Sequence, residues 1–134
     1  MGDINFLAAW VAILVGLITG TAIGLFFHDA DWMGGYASWR RRMIRLGHIS
    51  FFGTGFLNLA FVVSVEHLQL RGSGPPPLAS AGFLLGAVAM PAVCFLSAWR
   101  ESFRHLFFIP VTALILATAD VLLSVVRGPW SVVR

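Results

Sequence analysis

Three of the four histidines, His28, His48 and His105, fall where long apolar runs meet short polar connections. Imidazole at such a boundary can ligate haem iron, ligate another metal, or hydrogen-bond carbonyls and lipid phosphates. In a helix advancing about 100° per residue, Gly55 lies on the His48 face. A glycine there would leave room for a flat macrocycle beside the imidazole. His105 belongs to the fourth apolar run and is expected at the same depth as His48. The sharpest expectation is therefore haem b held by His48 and His105 between the second and fourth helices. Phe51, Phe52, Phe107 and Phe108 would surround it. Arg45 and Arg104 would pair with its propionates, because guanidinium binds carboxylate in a two-pronged way.

Two other uses of these histidines stay open. His28, His48 and His105, with a carboxylate from Asp29, Asp31 or Glu101, have the donor types of a non-haem metal site. Alternatively all three hydrogen-bond backbone or lipid phosphate. The chain has one cysteine, Cys94, which excludes an intrachain disulfide, a CxxC motif and covalent haem attachment through CxxCH.

Asp120 stands out, lying about two turns inside the end of the fourth apolar run. An ionisable group at that depth is costly and normally faces a partner or a cavity. With Asn58, Glu66 and His67 it forms the candidate set for ion or proton movement; a structural ion pair with Arg127, His67 or Arg71 is the simpler expectation. Serine-hydrolase, HExxH, phosphate-loop and dinucleotide-binding glycine motifs are absent, so an enzyme acting on its own is not expected.

These residues must be positioned by membrane helices. Of 134 residues, 58% are hydrophobic and 11% charged, and the mean hydropathy is +0.86. Soluble domains carry about 25% charged residues. The composition excludes a common soluble enzyme, a disordered chain and a nucleic-acid-binding domain, although the net charge is +3. The spacing predicts one all-α integral membrane domain over 1–134, a bundle of four transmembrane helices. Spans are expected at about residues 6–27, 43–65, 78–99 and 103–126, each near the roughly 20 residues a bilayer requires. Ser38 is expected to cap a helix beginning at Trp39. Pro91 and Pro110 are expected to kink or loosen the third and fourth helices.

All nine basic residues are arginine. Arg40, Arg41, Arg42, Arg45, Arg100 and Arg104 lie at the connections between helices one and two and between three and four. Arg71, Arg127 and Arg134 lie on the opposite side. This asymmetry places both Arg-rich loops in the cytoplasm and both termini outside, in what we read as a bacterial inner membrane. The six cytoplasmic arginines are candidates for anionic lipid headgroups or a partner protein. The two corners, Ser38-Trp39-Arg40 and Ala98-Trp99-Arg100, look alike and suggest two duplicated helical hairpins.

Gly16, Gly20 and Gly24 in the first helix, and Gly82 and Gly86 in the third, recur every four residues and predict close helix packing. Three functions follow as expectations: a small membrane subunit carrying haem b for electron transfer within a larger complex; a non-catalytic accessory or assembly subunit; and a small ion-coupled transporter. The expected partners are the lipid bilayer and other membrane subunits or a second copy.

Overall fold

The computed structural model describes residues 2–67 and 76–127, with the backbone alone at residues 2 and 67. Four α-helices carry the chain: α1 (Gly2–Leu25), α2 (Trp39–His67), α3 (Pro77–Trp99) and α4 (Phe108–Arg127). There is no strand among the described residues. All four are long and apolar enough to cross a membrane.

The helices pack in chain order, α1 on α2, α2 on α3 and α3 on α4, with a smaller α1–α3 contact. The central pair is therefore α2 and α3, flanked by α1 and α4. Small residues set this arrangement. A β-carbon on Gly16 would stand 2.9 Å from the Phe52 ring, and one on Gly20 would stand 2.5 Å from His48 Cε1. On α3, a β-carbon on Gly82 would come 2.8 Å from the Ala113 carbonyl oxygen, and one on Gly86 would overlap Leu114. Gly24 differs from this set: a β-carbon there meets open space.

α2 is buried along two stripes. His48, Phe52 and Gly55 face α1. Gly47, Thr54, Asn58, Phe61 and Val65 form a second, more deeply buried stripe. Gly47 faces Cys94 and Phe95 on α3, and Phe61 packs on Phe83 with ring centroids 5.4 Å apart. Phe61, Val65, Ala79, Phe83 and Ala117 make the apolar core that ties α2, α3 and α4 together.

The α1–α2 corner contains a short 3-10 turn, Trp32–Gly34. Gly34 and Gly35 have φ of 85° and 89°, and Met33 sits beside them at φ 59°. Glycine adopts that region without penalty, whereas a residue with a β-carbon costs about 1 kcal/mol or more there. Ser38 caps α2 as expected: its Oγ accepts the Arg41 N–H at 3.2 Å. α2 consequently begins at Trp39, four residues before the expected span, and carries Arg40 to Arg45 on the helix. Ahead of α4, residues Glu101–Phe107 form a 3-10 stretch. Pro110 is the third residue of α4 and its ring conflicts with a carbonyl four residues back, which opposes an α-helix running through Leu106.

Candidate functional site

The deepest polar group joins three helices. Asn5 of α1 and Asn58 of α2 are both fully buried, and Ser80 of α3 is nearly so. Asn5 Nδ2 donates to Asn58 Oδ1 at 2.8 Å and to the Ser80 carbonyl at 3.3 Å. Ser80 Oγ donates to Asn5 Oδ1 at 2.6 Å. Asn58 Nδ2 donates to the Thr54 and Phe83 carbonyls at 2.9 and 3.0 Å. Every donor and acceptor of the two amides finds a partner inside the protein. Asn58, expected as an ion-site candidate, is thus a helix joint. Asn5 and Ser80 carry no motif; each is an ordinary polar residue one turn inside an apolar helix, and only the packing reveals their pairing.

Asp120 has a similar role. Its Oδ2 accepts the Ala79 N–H at 3.1 Å, across from α4 to the first turn of α3. A carboxylate at that end complements the unpaired N–H groups and positive pole of the helix. Glu66 is exposed on α2, and the side chain of His67 and all of Arg71 lie outside the described residues. Arg127 is exposed at the end of α4.

The opposite end of α3 is also held by a neighbour. Trp39 Nε1 donates to the Ser97 carbonyl at 2.8 Å, and Arg40 Nε donates to the Ala98 carbonyl at 3.3 Å. Carbonyls of the last helical turn have no partner within the helix, so α2 supplies one for each.

Arg41, expected among the lipid-facing arginines, is instead 1% exposed. Its Nη1 donates to the Asp29 and Ala30 carbonyls at 3.1 and 3.2 Å, and its Nη2 to the Phe27 carbonyl at 3.2 Å. The rings of Phe27, Trp32 and Tyr36 stand 5.1, 5.5 and 5.1 Å from its guanidinium carbon. Burying a cation costs several kcal/mol unless it is bonded; three carbonyls and three ring faces offset that cost. Arg41 therefore organises the corner. Arg45 lies over the Tyr36 ring, 4.9 Å from its centroid, and Arg42 is 6.0 Å from that of Trp39. Arg42, Arg100 and Arg104 are exposed.

The histidines are directed to different surroundings. His48 is half-buried against α1, with Nδ1 3.3 Å from Thr19 Oγ1 and its ring edge-on to Phe52. Thr19 Oγ1 donates its one proton toward the Val15 and Gly16 carbonyls, at 2.8 and 3.1 Å. His105 is exposed on the 3-10 stretch before α4, and His28 is exposed beyond α1. Gly55, expected to leave room beside His48, is filled by α1: a β-carbon there would stand 3.1 Å from the Ala9 carbonyl. Among the described residues no three His, Cys, Asp or Glu side chains are grouped to share a metal ion, so His28, His48 and His105 do not form the expected metal set.

An open apolar groove of about 410 Å³ lies on α4, lined by Leu114, Ile115, Thr118, Ala119 and Leu122. α1 and α4 otherwise present large apolar side chains outward, among them Leu14, Leu17, Ile18, Ile115 and Leu122. Comparison with protein-family models, curated proteins and solved structures gives no match to this chain.

Proposed function

We propose that this protein is an integral membrane accessory subunit, a non-catalytic bundle that holds partners or lipid through its outer faces. The observation that carries this reading is the fate of the polar side chains within the apolar helices. Asn5, Asn58, Ser80 and Asp120 each bond to another helix of the same chain, and His48 bonds to α1. Intramembrane polar groups that serve transport or a cofactor face a cavity or the bound group instead. Here they fix the bundle's internal geometry and leave two flanking helices with apolar outer faces. The Arg-rich corners would face the cytoplasm, and both termini the opposite side.

Purified protein tests the reading against its rivals. A reduced-minus-oxidised spectrum should lack a b-type band, and liposomes carrying the protein should show no proton flux above empty ones. A low-spin haem spectrum lost on His48→Ala and His105→Ala would replace the proposal with the electron-transfer reading. Flux lost on Asp120→Asn would replace it with the transporter reading.

A further inference from the structure

The geometry points to a binding site for one anionic phospholipid at the Arg-rich end of the α2–α3 seam, with its phosphate between Arg40 and Arg100. This rests on the membrane-spanning reading and is independent of the accessory role. Arg40 is anchored by Nε to the Ala98 carbonyl, which fixes the guanidinium at the end of α3 with its two terminal nitrogens unbonded among the described residues. Two residues on, Arg100 terminates α3 in extended backbone, and its own N–H is used on the Leu96 carbonyl. Its exposed side chain has no bond or ion pair among the described residues. Glu101 follows it directly and is also exposed, without closing an ion pair to either arginine among the described residues. Arg40, fixed at the end of α3, and Arg100, exposed two residues beyond Ala98, supply two guanidinium groups unpaired among the described residues, and such groups bind a phosphate in forked pairs.

The surface below the two arginines suits an acyl chain. Arg40, Ile44 and Phe51 fall within a narrow stripe on α2 at about 100° per residue. Across the seam, Phe51 meets Phe95 with ring centroids 6.1 Å apart, and Trp99 follows one turn later on α3. Ile44, Phe51 and Phe95 are half-buried, and Trp99 is 71% exposed. Tryptophan at that depth belongs to the headgroup region of a bilayer. A charged pair above an aromatic-lined strip thus matches a lipid's headgroup and tail together, whereas free phosphate would use only the charged pair.

Bilayer discs of phosphatidylcholine with a minor fraction of phosphatidylglycerol test the site. Lipids retained on ejected protein are identified by intact mass spectrometry. Wild type should retain one phosphatidylglycerol in preference to phosphatidylcholine. Arg100→Gln, which leaves the Arg40–Ala98 bond in place, should lower that preference about fivefold, the effect of one surface arginine near anionic lipid. Arg100→Lys should retain more than Arg100→Gln, and Arg127→Gln, at the other end of the bundle, should match wild type. Wild-type preference in Arg100→Gln, equal loss in Arg127→Gln, or displacement of the lipid by millimolar inorganic phosphate would overturn the site. Failure of every variant to enter the discs would overturn the membrane reading as well, which separates the two claims.

Discussion

Arg41 is the residue on which the α1–α2 corner depends. Its guanidinium bonds the carbonyls of Phe27, Asp29 and Ala30 and is enclosed by three aromatic rings. Arg41→Gln removes the charge and its geometry, leaving carbonyls without donors, and charge-assisted bonds contribute about 1.5–3 kcal/mol each. The expected outcome is a clear drop in thermal stability in detergent and rapid proteolysis between Phe27 and Ser38. Arg42→Gln, at an exposed neighbour, should change neither. Equal behaviour of the two variants would remove the structural role of Arg41. In the sequence Arg41 was indistinguishable from Arg40 and Arg42, because burial on a helix beginning at Trp39 depends on how the Gly34-Gly35 turn folds back over it.

The Asn5–Asn58 pair belongs to the same scale. Replacing one amide strands the other, at about 1–3 kcal/mol, while replacing both with leucine leaves no stranded amide and only Ser80 Oγ without its Asn5 partner. Asn5→Leu and Asn58→Leu should therefore each destabilise, and the double variant should lose much less than their sum. A double-mutant cycle read by thermal unfolding measures this; strict additivity would show that the two amides do not interact. Ser80, which also bonds Asn5, has to be kept intact in the cycle.

At the scale of the helices, glycine spacing was legible and its consequences were not. Gly16, Gly20 and Gly24 repeat every fourth residue, yet a β-carbon on Gly20 would strike the His48 ring and one on Gly24 would meet nothing. Gly20→Ala should destabilise by about 1–3 kcal/mol through overpacking. Gly24→Ala should be neutral or slightly stabilising, since alanine favours helix by about 1 kcal/mol over glycine. A Gly24→Ala variant melting as low as Gly20→Ala would contradict this packing. The four apolar runs were legible because spanning length and hydropathy are local properties. Which face of α2 meets α1 and which meets α3 was not, because both stripes are mainly apolar and both carry polar residues: His48 on one, Thr54 and Asn58 on the other. His48 has the residue type of a ligand, but its neighbour is Thr19, 29 residues away in the sequence: the pairing exists only once α1 packs on α2.

For the molecule as a whole, polar chemistry is concentrated at helix joints and apolar surface at the flanks. α3 is held at both ends by its neighbours, through Asp120 on Ala79 and through Trp39 and Arg40 on the last carbonyls. Asp120→Leu should loosen the α3–α4 pair by about 1 kcal/mol, the usual worth of a helix cap. Such a scaffold leaves large apolar side chains of α1 and α4 uncovered, and these are the faces we propose meet lipid or other subunits. The most direct test is gentle extraction of the tagged protein from its native membrane, followed by intact mass measurement of the assembly. The accessory role predicts a fixed stoichiometry with at least one different membrane protein, without a haem mass. Recovery of this chain alone, carrying haem or sustaining flux after reconstitution, would contradict it.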